Sequence, residues 1–182
     1  MFKVESNFIG DFNLGDRINN ELKILDIIYK FNNSNSSISL NKIKVVVIAS
    51  VCEAVLYDFI NTRIKLHTRE GVRNIEVEHL EKIKDKEYKK FHHYIDASKK
   101  YNFFKESKGL CKDLKSLKEL RNCIHIQNKC AEISGKKLLE VEKTLEILLK
   151  TMNEKYHRPV STTGWVKDFE IPFDEKLPKD KP

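Results

Sequence analysis

Residues 41–66 read NKIKVVVIASVCEAVLYDFINTRIKL. From Val45 to Leu56 this stretch is apolar around nearly the full circumference of a helix, the mark of a central helix buried on most sides. The β-branched run Val45–Ile48 also permits a strand locally. Helix is the better reading, because the apolar stretch outruns an ordinary strand and continues into Tyr57, Phe59, Ile60 and Ile64. Lys44, Glu53 and Asp58 interrupt any window of about 20 residues, so the stretch does not read as a membrane span. Glu53 is the only charge between Val45 and Tyr57. A carboxylate in that setting has to reach solvent, pair with a cation or take up a proton.

Working outward, the same helical grammar covers most of the chain. It has 182 residues, of which 40% are hydrophobic and 34% charged, with only 6 Gly and 4 Pro. So few turn-formers, beside so much Lys, Glu, Leu and Ile, predict an all-α fold, a bundle of about five helices. The length suits one domain, taken as residues 1–156, followed by an extended non-helical tail, residues 157–182. A collagen-like polymer, a wholly disordered chain and a pair of catalytic domains are all disfavoured.

Asp16 is placed to N-cap a helix running to about Phe31, with Ile18, Leu22, Ile24, Leu25 and Ile28 supplying its apolar face. NNSNSS, 32–37, reads as a loop. A short amphipathic piece, IEVEHLEKIKD at 75–85, precedes a basic helix, EYKKFHHYIDASKKYNFF at 87–104. Its aromatics, Phe91, Tyr94, Tyr101, Phe103 and Phe104, fit a core face better than a stacking surface. Another helix starts near Gly109 and runs to Ile124. The last, 136–156, carries Leu138, Val141, Leu145, Leu148 and Met152 at bundle spacing, over too few heptads for a coiled coil. The tail holds the only Trp, Trp165, with Phe169, Ile171 and Phe173, and is apolar enough to lie across its own bundle or a partner subunit.

The net charge is +7. Residues 82–121 carry 13 basic and 6 acidic side chains, whereas basic and acidic residues nearly balance elsewhere. The surplus is therefore one local field, able to attract a phosphate polyanion, although lysine-rich helix faces are more often plain solvated surface. Lys89, Lys90, Lys99, Lys100, Lys112, Lys115 and Lys118 are the candidate RNA-binding side chains. The four cysteines, Cys52, Cys111, Cys123 and Cys130, have no paired C-x-x-C spacing, and the first residues lack a signal peptide's apolar core, so the expectation is a cytoplasmic protein with reduced thiols. Cys123 and Cys130 with His125 between them fall short of a structural zinc site, and His92 and His93 point apart on a helix. No metal and no cofactor are expected, and no Gly-rich phosphate loop precedes a helix.

The helix 110–124 holds the residues able to carry chemistry. With Leu110 taken as zero, Leu114, Leu117, Leu120 and Ile124 form one apolar stripe, and Arg121 falls inside it at about 20°. His125 sits at its edge, on the same side. The segment LKELRNCIHIQN, 117–128, resembles the Arg-Asn…His signature of the HEPN superfamily, and the helical plan of roughly residues 14–156 is similar as well. The resemblance implies a metal-independent endoribonuclease, a toxin or phage-defence effector, whose two protomers form one composite site on RNA, with an antitoxin or regulatory protein as a further partner. Carried onto this chain, Arg121 would hold the scissile phosphate, Asn122 would support that geometry, and His125 would serve as acid or base. Glu53 would support Arg121 from the earlier helix. The Arg–His interval is shorter here than the family's usual four to six intervening residues, since only Asn122, Cys123 and Ile124 intervene.

Two other readings stand beside this one. A non-catalytic HEPN-like module could bind RNA or a partner protein through 82–121 and dimerise through the signature helix; a plain helical interaction domain would use no nucleic acid. In the structural reading, Arg121 simply pairs with Glu53 across the bundle.

Overall fold

Burial is what the apolar circumference of 41–57 demands, and the other long helices pack around it. In the computed structural model, which describes residues 2–4, 8–9, 12–34, 39–65, 75–124, 132–156 and 169–171, α2 (Asn41–Tyr57) buries Val45, Val47, Ile48, Ala49, Val51, Cys52, Val55 and Leu56. It is contacted by α1 (Gly15–Ser34), α4 (Phe91–Lys100), α5 (Leu110–Cys123) and α6 (Gly135–Tyr156). With α3 (Val77–Lys84), the described residues form six α-helices, an all-α bundle. One strip of α2 escapes the packing: Ile43, Val46 and Tyr57 are exposed, with Ser50 and Glu53 half-buried between them.

Local interactions redraw several expected helix boundaries. Beyond Tyr57 the chain continues as a π-helical turn, Asp58–Ile64, from which Phe59, Ile60 and Ile64 all reach the core. The α1 helix runs three residues past the expected end at Phe31 and takes in the start of NNSNSS. Asp16 sits in the first turn of α1, where its charge suits the helix dipole, and the N-terminal cap comes from elsewhere: the buried Asp58 carboxylate accepts the Leu14 N–H at 3.2 Å.

The basic helix is shorter than its pattern predicts. Lys90 is extended, and α4 ends after Lys100 in a Schellman motif around Asn102, whose φ is 55°. Phe103 N–H reaches Ser98 O at 3.0 Å and Asn102 N–H reaches Lys99 O at 3.3 Å. This reversal turns Tyr101, Phe103 and Phe104 into the core, where Phe59 and Phe103 meet edge to face at 5.4 Å. Gly109 then enters α5 at φ +96°, a left-handed conformation that a side chain would strain.

Between α1, α2 and α6 the core holds a polar cluster. The Tyr29 hydroxyl donates to Glu142, and the Lys44 ammonium lies 4.0 Å from the centroid of the Tyr29 ring. All three are buried. At the periphery, β1 (Phe2–Val4) pairs antiparallel with β2 (Phe169–Ile171), in the register Phe2↔Ile171 and Val4↔Phe169. The sequence pattern assigns no element to 2–4. Part of the expected extended tail therefore forms a strand, which packs against α1; Trp165 and Phe173 lie outside the described residues.

Candidate functional site

The apolar stripe of α5 dictates where Arg121 goes. Leu110, Leu114 and Leu117 are buried, and Leu120 and Ile124 pack partly buried against the same core. Arg121 shares that face and is carried inward at the C-terminal end of the helix. Its guanidinium Nη1 donates to the Glu53 carboxylate, while the Arg121 Cζ lies 5.5 Å from the centroid of Phe91 at the start of α4. The lone charge of α2 thus finds its cation on α5, with an aromatic face beside it. Neither side chain is sealed off: Arg121 is 27% exposed and Glu53 30%.

Asn122 is exposed, off the apolar stripe, as its helical angle requires. His125 lies outside the described residues, as does Cys130. Among the described residues there is no cluster of three or more His, Cys, Asp or Glu side chains that could hold a metal ion. Contrary to the expectation that they point apart, the His92 and His93 rings meet with centroids 4.2 Å apart, and partial desolvation, followed by the charges of His92, Lys90 and Lys86, holds the His93 imidazole below its ordinary pKa.

The seven candidate lysines do not share one surface. Lys99 from α4 and Lys112 and Lys115 from α5 line a groove of about 590 Å³ between the two helices. Lys105 and Lys108, from the connecting turn, complete it, with Asp96 as the acidic residue of the lining. Both were visible in the basic stretch, but only the turn after Asn102 brings them to the groove. Lys118 is half-buried on α5. Lys115, Lys118 and Asn122 follow at spacings of three and four, so one face of α5 leads from the groove towards the Arg121 end. At the helical rise, Lys115 and Arg121 are about 9 Å apart along the axis.

The remaining lysines are placed elsewhere. Lys100 is exposed, its ammonium 5.3 Å from the Tyr101 ring. Lys90 is exposed just before α4. Lys89 pairs with Glu87 at 2.6 Å and lines a second groove, of about 400 Å³, with Tyr57, Asn61, Lys65, Tyr88 and Tyr94. Phe91, Tyr94, Tyr101, Phe103 and Phe104 are all buried, as a core face rather than a stacking surface requires. Among the described residues the exposed aromatics are Phe31 on α1 and Tyr57 at the end of α2, of which Tyr57 lines this second groove.

Among the described residues, no helix is long and apolar enough to cross a membrane. What fold and site define is an all-α bundle with a partly exposed Arg–Glu pair and, about 9 Å back along α5, a lysine-lined groove. No protein-family model, no curated protein and no solved structure matches the chain.

Proposed function

We propose that the chain is a HEPN-like endoribonuclease, acting on RNA as a homodimer, without a metal, in the cytoplasm as a toxin or phage-defence effector. The observation that carries this reading is the position of Arg121: ion-paired, with its Cζ 5.5 Å from the Phe91 ring, partly open to solvent, and about 9 Å along α5 from a groove that five lysines and Asp96 line. A groove of that charge suits a phosphate backbone.

The chemistry follows from RNA itself. The ribose 2′-oxygen attacks phosphorus as its proton passes to a base, the bond to the 5′-oxygen breaks, and that oxygen takes up a proton. The products are a 2′,3′-cyclic phosphate and a 5′-hydroxyl. An imidazole transfers protons near neutral pH, the part assigned to His125. A fixed guanidinium opposes the charge that develops on the phosphorane oxygens, the part assigned to Arg121, with Asn122 beside it and Glu53 holding its angle. Two protomers would combine their signature helices into one cleft, and an antitoxin or regulatory protein would control it.

One observation favours a second reading, a non-catalytic HEPN-like module that binds RNA or a partner protein. Glu53 already neutralises Arg121, as a purely structural ion pair would. The purified protein, incubated with RNA in excess EDTA, separates the two. The nuclease leaves 2′,3′-cyclic phosphate ends, and His125→Ala abolishes cleavage in a protein that remains folded. Cleavage retained in that variant sinks the nuclease assignment. RNA binding without cleavage, insensitive to His125→Ala, selects the binding module.

A further inference from the structure

We propose that the groove beside Tyr57 is a nucleobase-stacking subsite for single-stranded RNA, an inference that rests on reading the chain as an RNA-binding protein. The groove between α4 and α5 offers a backbone five lysines beside Asp96, with its one aromatic, Phe104, buried. Binding of a single strand pairs such a track with aromatic faces on which unstacked bases lie. Of the two exposed aromatics among the described residues, Phe31 and Tyr57, Tyr57 is the one that lines a groove. It follows Glu53 by one turn on α2, so the two lie about 6 Å apart on the same helical face, next to the Arg121 site. It is 40% exposed, whereas Tyr88 and Tyr94 behind it are 5% and 2% exposed.

The walls of this groove are braced, so the Tyr57 ring is oriented in advance. Tyr94 meets it edge to face, with centroids 5.9 Å apart and planes at 87°. The Tyr94 hydroxyl donates to Tyr88 O at 3.3 Å, and Asn61 Nδ2 donates to the same carbonyl at 3.1 Å. Burial, with the Glu53 charge second, pushes the Tyr94 phenol up, so it stays a neutral donor. Lys65 and Lys89 line the groove together with Glu87, which pairs with Lys89 at 2.6 Å, so Lys65 is the cation that can meet a phosphate beside a stacked base. At about 400 Å³ the groove lies within the range, roughly 300–1,000 Å³, in which small organic ligands are held. A base on Tyr57 would set the phosphate next to it in reach of Arg121.

The test measures binding of oligouridylate, oligoadenylate and inorganic polyphosphate to the full chain. Tyr57→Ala should weaken binding of both RNAs roughly tenfold and leave polyphosphate binding unchanged, because polyphosphate has no base to stack. Tyr57→Phe and Tyr57→Trp should restore RNA affinity. The subsite is overturned if Tyr57→Ala binds RNA as the wild type does, if it loses RNA and polyphosphate equally, or if Tyr57→Phe fails to rescue. It is also overturned if Tyr57→Ala shifts the sedimentation of the RNA-free protein, since Tyr57 would then cover a second copy of the chain. Wild-type protein that binds polyphosphate but neither RNA overturns the RNA reading itself, a failure distinct from loss of the subsite alone.

Discussion

Arg121 and Glu53, separated by 68 positions in the sequence, form an ion pair that ties the C-terminal end of α5 to the C-terminal half of α2. Each is the charged residue within an otherwise apolar face, and each removes the other's desolvation problem. Because both side chains remain partly in water, the pair is weaker than a buried one. A double-mutant cycle of Glu53→Ala and Arg121→Ala, followed by urea unfolding, should give a coupling of about 1 kcal/mol. Additive losses would show a pair that contributes nothing to folding.

The buried contact between Tyr29 and Glu142 should be the more costly one to break. Both groups are out of water, with Lys44 over the Tyr29 ring. Tyr29→Phe keeps the ring and removes the donor to a buried carboxylate, which should cost about 1–3 kcal/mol in denaturant unfolding. A loss well under 1 kcal/mol would mean that Glu142 finds another donor without penalty.

What could be read from the sequence was what depends on helical period. The wholly apolar turns of α2 announced a central helix, and the stripe of α5 announced that Arg121 would point inward towards a carboxylate. The features that escaped depend on contacts between distant segments. Asp58 caps α1 from 44 positions away, Tyr29 meets Glu142 across 113, and neither pairing has a local signature. The lysines fall between these cases: their sum was legible, but the Schellman turn at Asn102 decides which of them share a groove. The exposure of Val46 and Tyr57 was not legible, because an apolar circumference does not say which strip the neighbouring helices leave bare.

The cap on α1 makes a separable prediction. Asp58→Ala removes the acceptor of the Leu14 N–H and should destabilise the protein by about 0.5–2 kcal/mol, the usual cost of a lost N-cap. Asp58→Asn keeps an acceptor oxygen at the same place and should recover much of the loss. Asp16→Ala, an exposed first-turn change, should cost only about 0.3–1 kcal/mol. Thermal melts of the three variants rank these effects. A larger loss for Asp16→Ala would return the cap to that residue.

The thiols should react in the order of their burial. Cys123 is exposed, Cys111 half-buried and Cys52 buried. Burial pushes the Cys111 thiol up, with the Lys99 charge opposing it, and pushes Cys52 up much further. Labelling with an alkylating agent, mapped by mass spectrometry, should modify Cys123 first, Cys111 slowly and Cys52 only after denaturation. The folded chain holds the Cys52 proton more tightly than the unfolded chain does. Its contribution to stability is therefore complete below the ordinary thiol value of 9.0 and declines as pH rises above it. Rapid labelling of Cys52 in the native protein would contradict the packing of α2.

The lysine groove makes the prediction on which any polyanion reading depends. Lys99, Lys112 and Lys115 come from two helices but line one groove, so they should act together on one strand. Neutralising all three with Gln should lower the slope of log affinity against log salt by about 2 for a single-stranded RNA, because each phosphate contact releases about 0.7 of a counterion. Lys23→Gln, an exposed change on α1 away from the groove, should leave the slope unaltered. Fluorescence titrations from low to moderate salt supply the measurement. If the triple variant and Lys23→Gln change the slope equally, the charge of the 82–121 stretch acts as a diffuse field and the groove has no special place in it. A drop confined to the triple variant instead puts the polyanion on the α4–α5 seam, on the face of α5 that continues through Lys118 to Asn122.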